Sequence, residues 1–375
     1  MRKILFFLVS LFSSLAFAQQ MPVPPVLEAR PWLLIEYPSR QVLAANAPDE
    51  RIEPASLTKL MTAYLVFAAL RSGTIKLNQE VLVSERAWRA PGSRMFIQVN
   101  TRVKVGDLIK GAIVQSGNDA CIALAELIGG SEENFVQMMN REAARMGMNA
   151  TNFRNSTGLP DPEHYTTAHD LGILATNLIR DFPQEYATYY STREFRYNNI
   201  SQPNRNRLLW LDPSVDGMKT GFTRAAGFCL ISSAKRGDRR LLSIVLGADS
   251  DRARMNESLK LLNFGFQSFD AVRLYAKNQE ISHLRVWKGK RSTVKAGFAE
   301  DFVLSIPKGQ AQRIRAQLAS EQPLIAPVTA GQVIGTLKVS LDDEPFGNFP
   351  VVALDAVPAA GIFKRSIDTV RLQFN

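Results

Sequence analysis

The chain has 375 residues and carries 45 Lys and Arg against 35 Asp and Glu, a formal net charge of +10. This length is enough for two domains with full hydrophobic cores, and the positive charge suits anionic surroundings such as lipid head groups or wall polymers. Nucleic-acid binding is not indicated, because no basic stripe is interleaved with aromatic residues. Zinc-peptidase activity is not indicated either, because no His-Glu-x-x-His sequence occurs.

The first residues have the pattern of a secretory signal peptide. A basic start at Met1-Arg2-Lys3 is followed by an apolar stretch over 4–15 and by the small-x-small site Ala16-Phe17-Ala18. We therefore predict that residues 1–18 are removed and that the protein is exported, which is a second argument against a nucleic-acid partner. No later stretch reaches the length of about eighteen apolar residues that a spanning helix needs, so the remainder is predicted to be a soluble body.

A Ser-x-x-Lys pair at Ser56/Lys59 opens the first long apolar run. The run follows Pro54 and continues to Leu70, where Ser72-Gly73 ends it, a pattern typical of a buried helix. Because residues i and i+3 are neighbours on a helix, the Lys59 amine can reach the Ser56 hydroxyl, and burial lowers the pKa of a lysine. We predict Ser56 as a nucleophile and Lys59 as its base. Three further Ser-x-x-Lys pairs lie in strand-like or loop segments and are set aside: Ser232/Lys235, Ser292/Lys295 and Ser305/Lys308.

A second polar motif, Ser116-Gly117-Asn118, lies between two apolar helical segments. Such a stretch is ordinary turn chemistry, but it also offers functional groups. The Asn118 amide carries donors and an acceptor together, so it can hold both Lys59 and a substrate amide. We interpret Ser116 as a group that takes part in proton transfer.

A third motif, Lys219-Thr220-Gly221, ends the strand-like stretch 214–223. Lys219 and Thr220 supply charge and hydrogen bonds for a terminal carboxylate, and a glycine at Gly221 lets a ligand backbone approach the strand edge.

The sequence around the motifs predicts a first hairpin near Pro38-Ser39-Arg40, a helix from Ser131 and a closing hairpin over 236–238. Residues 19–270 are therefore predicted to form an α+β domain of helices packed on an antiparallel sheet.

Alternating patterns dominate after residue 270. Residues 271–358 are predicted to form a small all-β domain, and residues 359–375 an amphipathic helix. Its basic face, opposite an apolar face, predicts binding to an anionic membrane surface; docking on the protein itself is the alternative. The apolar face comprises Ile362, Phe363, Ile367, Val370 and Phe374, and the polar face comprises Lys364, Arg365, Asp368 and Arg371.

In this order the three motifs resemble those of the low-molecular-weight penicillin-binding proteins, the serine D-alanyl-D-alanine carboxypeptidases of bacterial cell walls. The resemblance extends over nearly the whole mature chain and includes Ser93-Arg94-Met95-Phe96 and Asn155-Ser156-Thr157-Gly158-Leu159. It implies a β-lactamase/transpeptidase-like fold and removal of the terminal D-alanine from peptidoglycan pentapeptide stems through a serine acyl-enzyme. It also implies acylation by β-lactams and a periplasmic place on the outer face of the cytoplasmic membrane, with no cofactor and no metal.

The resemblance also implies roles for individual residues. Ser56 is the acylated nucleophile, Lys59 its general base, and Ser116 with Asn118 the second catalytic element. The backbone N–H groups of Ser56 and Phe222 form the oxyanion hole; family members often carry histidine where this chain has Phe222. The substrate-binding residues are Lys219, Thr220 and Gly221, with Arg254 and, less strongly, Arg205 near the substrate carboxylate.

Two other functions are consistent with parts of the pattern. A β-lactamase-like hydrolase shares the serine, lysine and Lys-Thr-Gly, but no Glu-x-x-Leu-Asn sequence for a water-holding glutamate occurs. A non-catalytic peptidoglycan-binding protein is also conceivable, although a binder has no need of a lysine beside the serine. Cys121 and Cys229 follow the second and third motifs. A disulfide between them is one alternative, and two separate buried thiols are the favoured one. The residues whose spacing comes nearest to that of a metal site are His164, His169 and Asp170, but the sequence indicates no further ligands elsewhere.

Overall fold

The computed structural model describes residues 21–37 and 39–373. The predicted signal peptide over 1–18 and Phe374 of the predicted apolar face lie outside these residues. In the part of the chain that is described, no helix is both long and apolar enough to cross a membrane.

An antiparallel sheet in the order β2-β1-β9-β8-β7 is the centre of the first part of the chain. Two small two-stranded sheets, β3-β4 and β5-β6, lie apart from it. β1 pairs with β2 and β8 pairs with β9, so the two predicted hairpins are confirmed, although Pro38 of the first predicted turn lies outside the described residues. The strands are β1 (Trp32–Glu36), β2 (Gln41–Asn46), β3 (Glu80–Leu82), β4 (Arg102–Lys104), β5 (Glu194–Tyr197), β6 (Ile200–Pro203), β7 (Val215–Thr223), β8 (Gly227–Arg236) and β9 (Arg239–Ala248).

Helices cover both faces of this sheet. Side chains alternate along a strand. Leu33 and Ile35 therefore join the large core formed with most of the helices, while Leu34 joins a second core that includes residues of the helix over 251–268. Ser131 caps the predicted helix by accepting from the Asn134 N–H at 3.2 Å. The helices are α1 (Lys59–Arg71), α2 (Glu85–Trp88), α3 (Val105–Ile113), α4 (Asn118–Gly129), α5 (Glu132–Met146), α6 (Ala168–Asp181), α7 (Pro183–Tyr189), α8 (Leu208–Leu211) and α9 (Asp251–Ser268).

The rest of the chain is built from strands around a separate hydrophobic core. A sheet in the order β14-β16-β17-β12-β11-β15 lies beside the pair β10-β13. The predicted architecture of helices on an antiparallel sheet, followed by an all-β part and a terminal helix, is confirmed. The elements are β10 (Phe269–Tyr275), β11 (Glu280–Trp287), β12 (Thr293–Gly297), β13 (Phe302–Pro307), β14 (Ile314–Ser320), β15 (Leu324–Ile325), β16 (Val333–Leu341), β17 (Glu344–Ala353) and α10 (Ile362–Leu372).

The terminal helix α10 exposes its apolar side. Ile362 and Phe363 are 78% and 90% exposed. Its polar side is not entirely solvated, because Asp368 is buried and accepts from the Lys288 N–H at 2.7 Å. The helix is thus attached to the β-rich part through a polar residue while its apolar residues face outward.

Candidate active site

Ser56 lies on a short 3-10 turn, Ala55–Thr58, and α1 begins only at Lys59. The predicted buried helix over the apolar run is present, but its α-helical part begins at Lys59 rather than at Leu57. Directly before Ser56, Ala55 has a φ of 47°, in the left-handed region that non-glycine residues rarely adopt. The chain therefore turns sharply at Ala55, and Ser56 lines a cleft.

Lys59 is 2% exposed and its ammonium has three acceptors. Its Nζ lies 2.9 Å from Ser56 Oγ, 2.8 Å from Asn118 Oδ1 and 2.5 Å from the Thr157 carbonyl oxygen. Sequence reasoning found the first two of these partners. It missed Thr157, since a backbone carbonyl leaves no mark on the residue type.

Burial lowers the pKa of Lys59 to about 8, and the charge of Arg205 acts in the same direction. Burial likewise holds the pKa of Lys219 well below its ordinary value, and Lys59 and Arg205 lower it further. A lysine with a pKa near neutrality can give up and regain a proton at ambient pH. The lowered pKa that the buried helix predicts for Lys59 is present.

Ser116 connects the second motif to the third. Its Oγ accepts from Lys219 Nζ at 3.0 Å, while Lys219 Nζ also donates to the Thr220 carbonyl oxygen at 2.9 Å. Ser116 has a φ of 64°, so the chain turns sharply between α3 and α4. Both lysines thus reach a serine hydroxyl within one buried cluster.

Asn118 opens α4 and is held by the loop before α3. Its Nδ2 donates to the Pro91 carbonyl oxygen at 2.6 Å. The neighbouring Asp119 is fully buried and accepts from the N–H groups of Met95, Phe96 and Ile97 at 3.0, 2.8 and 3.3 Å. Sequence reasoning did not select Asp119; the signal available was its place directly after the second motif.

The third motif lies on β7, an edge strand of the sheet. Thr220 and Phe222 line the cleft, and Phe222 is half exposed and packs on Phe228 with ring centroids 4.4 Å apart. The reason proposed for Gly221 changes. A Cβ there would lie 3.1 Å from Ala55 Cβ and 3.3 Å from the Pro54 carbonyl oxygen, so the close approach is made by the chain's own nucleophile turn.

The two predicted arginines differ in their surroundings. Arg254 is buried, and its Nη1 donates to the Gly221 and Cys229 carbonyl oxygens at 2.8 and 3.2 Å while Nη2 pairs with Asp251. Arg205 is exposed and its Nε donates to the Gln115 carbonyl oxygen at 3.2 Å. Both line the cleft, but Arg254 also supports the end of β7.

These residues surround a cavity of about 940 Å³. Cys121 and Cys229 are both buried and unbridged, and burial raises the pKa of each thiol to about 11. Within residues 21–37 and 39–373, no group of three or more potential ligand side chains could hold a metal ion. His164 instead contacts the Thr58 hydroxyl at 3.0 Å. The predicted site residues on the cavity wall are Ser56, Ser116, Asn118, Arg205, Thr220, Gly221, Phe222 and Arg254.

A serine beside a buried lysine, with an amide and a second serine–lysine pair at the same cavity, is equipped for acyl transfer. Residues 18–250 match the family described as D-alanyl-D-alanine carboxypeptidase, and residues 269–359 match the C-terminal domain of penicillin-binding protein 5. D-alanyl-D-alanine carboxypeptidase DacC of Escherichia coli (strain K12) is 43% identical, over 97% of this chain and 93% of that protein.

Solved structures agree with these matches. Penicillin-binding protein 5 of Haemophilus influenzae is 41% identical with a TM-score of 0.84, covering 90% of this chain and 99% of that one. Penicillin-binding protein D2 of Listeria monocytogenes, solved in an ampicillin-bound form, is 29% identical with a TM-score of 0.60, covering 65% of this chain and 99% of that one. The resemblance drawn from the motifs is confirmed, and the chain belongs to the serine-type D-alanyl-D-alanine carboxypeptidases, the low-molecular-weight penicillin-binding proteins.

Proposed function

We propose that Ser56 removes the terminal D-alanine from peptidoglycan pentapeptide stems through an acyl-enzyme, and that β-lactams acylate the same serine. The observation that carries this proposal is the 2.9 Å contact between Lys59 Nζ and Ser56 Oγ inside a buried cluster. A nucleophilic hydroxyl needs an adjacent base, and a lysine serves when burial lowers its pKa.

Acylation begins with proton transfer. The neutral form of Lys59 takes the Ser56 proton as Oγ attacks the carbonyl carbon between the two D-alanines. Negative charge then develops on the carbonyl oxygen, and the N–H groups of Ser56 and Phe222 stabilise it; such a donor is typically worth about 3 kcal/mol. The peptide bond breaks as the proton that Lys59 took is passed to the leaving D-alanine amine by way of Ser116, whose hydroxyl contacts Lys219 Nζ; Lys59 is then neutral again.

The terminal carboxylate of the substrate selects the reacting bond. Thr220 lines the cavity and offers its hydroxyl, and the buried Lys219 donates to the Thr220 carbonyl oxygen at 2.9 Å and supplies positive charge. Arg254 already gives hydrogen bonds to two carbonyl oxygens and to Asp251, so it contributes mainly charge. The exposed Arg205 attracts the carboxylate from the cavity mouth.

In the last step, water hydrolyses the acyl-enzyme and releases the shortened peptide. A β-lactam stalls at the acyl-enzyme because its leaving group stays tethered.

The direct test is mass spectrometry of pentapeptide muropeptides incubated with purified residues 19–375. We expect loss of one alanine, and no loss with Ser56→Ala. Rapid hydrolysis of penicillin without alanine release would favour the β-lactamase-like alternative. Penicillin labelling of Ser56 with neither reaction would favour a protein that only binds peptidoglycan.

We further propose that α10 lies on an anionic membrane and that the β-rich part, as a domain over 271–358, holds the catalytic domain over 19–270 away from it. The support is the exposed apolar side formed by Ile362, Phe363, Ile367 and Val370, with basic residues beside it. The protein would then act in the periplasm, on the outer face of the cytoplasmic membrane.

Flotation with vesicles containing anionic lipid tests this second proposal. Deleting residues 359–375 should release the protein from the vesicles without changing turnover of a soluble pentapeptide. A double variant, Ile362→Ser with Phe363→Ser, keeps the Asp368 contact and should also be released. Vesicle binding by both variants at the level of the full chain would contradict the anchor, and lost turnover in the truncation would contradict the spacer role.

A further inference from the structure

The two proposed oxyanion donors stand on segments far apart in the sequence. The Ser56 N–H belongs to the turn Ala55–Thr58, and the Phe222 N–H belongs to β7. An oxyanion hole works only when both donors are fixed at hydrogen-bonding distance from one oxygen atom. Something must therefore hold the turn against the strand.

A side-chain hydrogen bond joins these segments next to both donors. Thr223 follows Phe222, and its Oγ1 donates to Glu53 Oε2 at 2.7 Å. The same hydroxyl accepts from the Ala226 N–H at 2.9 Å, so its orientation is fixed by two partners. Glu53 lies three residues before Ser56 and lines the cavity.

The turn that carries Ser56 needs external support. Ala55 is buried, and its backbone has a left-handed conformation. A non-glycine residue keeps such a conformation only where the surrounding structure imposes it. On one side, a Cβ at Gly158 would lie 1.7 Å from the Ala55 carbonyl oxygen, so the two backbones touch there. On the other side Gly221 packs on Ala55. Because Ala55 directly precedes Ser56, its conformation sets the direction of the Ser56 N–H.

We infer that Glu53 and Thr223 are positioning residues that hold the Ser56 and Phe222 N–H groups at the spacing which the oxyanion requires. Neither residue transfers a proton or contacts the reacting atoms. Their hydrogen bond adds a polar link at the start of the turn to the packing of Gly158 and Gly221 on Ala55. This inference rests on the proposed function, because it assumes acylation of Ser56.

Steady-state and single-turnover kinetics test the inference. Thr223→Val keeps the shape of the side chain and removes its hydroxyl, whereas Thr223→Ser keeps the hydroxyl. We expect Thr223→Val to lower kcat for D-alanine release and the penicillin acylation rate by roughly ten- to a hundredfold, with KM little changed. Thr223→Ser should restore most of the rate. Rates are expressed per site titrated with labelled penicillin, so a loss of folded protein does not count.

A second variant covers the case in which Thr223→Val does not fold. Glu53→Leu removes the acceptor together with its charge and leaves the bond between Thr223 and Ala226 in place; its control for the lost charge is Glu50→Leu, which breaks an exposed ion pair with Arg30. Unchanged kcat per titrated site in Glu53→Leu, or Thr223→Ser as slow as Thr223→Val, would overturn the inference. D-alanine release by Ser56→Ala would instead overturn the proposed function itself.

Discussion

The two parts of the described chain differ in the ammonium groups that they bury. In the first part, Lys59 and Lys219 are each 2% exposed and donate to neutral acceptors. In the β-rich part beyond residue 269, charges such as Lys277 and Glu300 pair at the surface. The core there is apolar, and its buried polar residues in the described chain are Ser305 and Asp368.

This difference separates a reactive site from a scaffold. Burying an ammonium group without a carboxylate partner costs stability, so a fold keeps two of them together only where the lowered pKa is used. Surface ion pairs contribute little to stability and nothing to reactivity. The following changes test this contrast, beginning with the largest expected effect.

Lys59→Met should abolish acylation. The substitution keeps an unbranched side chain in the buried helix but removes the base, so we expect the rate of penicillin acylation to fall by at least about a thousandfold. Stopped-flow or gel-based labelling with a fluorescent penicillin measures this rate. The matched control is Lys235→Met, which alters the exposed lysine of another Ser-x-x-Lys pair and should leave the rate unchanged. Near-normal acylation by Lys59→Met would refute the base assignment.

Gly158→Ala should be much more harmful than the same change in the β-rich part. Both Gly158 and Gly309 have positive φ, at 85° and 76°. Only Gly158 faces a backbone atom, the Ala55 carbonyl oxygen, whereas nothing lies within 4 Å of a Cβ at Gly309. We expect a loss in the free energy of unfolding of about 3 kcal/mol for Gly158→Ala and about 1 kcal/mol for Gly309→Ala.

Urea unfolding together with the acylation rate checks this pair. Gly158→Ala should also acylate slowly, because the nucleophile turn must shift. Equal losses of stability in the two variants would show that the turn is not held by the close contact at Gly158.

The acylation rate should rise with pH. Burial lowers the pKa of Lys59 to about 8, and the neutral amine is the form that accepts the Ser56 proton. The rate should therefore increase by about tenfold between pH 7 and pH 9 and level off above that. Single-turnover acylation with penicillin over this range gives the profile; a flat or falling profile would contradict the role of the neutral amine.

Lys277→Met should have the smallest effect. The pair between Lys277 Nζ and Glu300 is 3.1 Å long and exposed on both sides, so we expect a change in unfolding free energy of about 0.5 kcal/mol or less. D-alanine release should be unchanged. A large loss of turnover would mean that the β-rich part influences the site.

Much of the fold and the site could be predicted from the sequence because the informative signals are local. The apolar run after Ser56, the turn residues around Asn118 and the strand pattern before Gly221 each lie within one element. They placed Ser56, Lys59 and Asn118 in one cluster, as the structure does.

The remaining features depend on contacts between distant segments. Ala55 carries no residue-type signal for a left-handed conformation, and the glycines that leave room for it, Gly158 and Gly221, are distant in the sequence. Thr157 contributes a carbonyl oxygen, and Asp119 binds three N–H groups of a loop more than twenty residues earlier. The hydrogen bond from the Lys288 N–H to the buried Asp368 could likewise not be predicted, because it depends on how α10 packs on the β-rich part.

Peptide mapping after brief exposure to penicillin tests whether Ser56 is the nucleophile and Lys59 its base. Ser56 is the one Ser-x-x-Lys serine that we expect to react, with Ser232, Ser292 and Ser305 as internal comparisons in the same digest. We expect an adduct of the penicillin mass on the peptide containing Ser56, and no such adduct in Lys59→Met over the same interval. An adduct on a different serine, or one that forms on Ser56 equally fast without Lys59, would contradict this expectation.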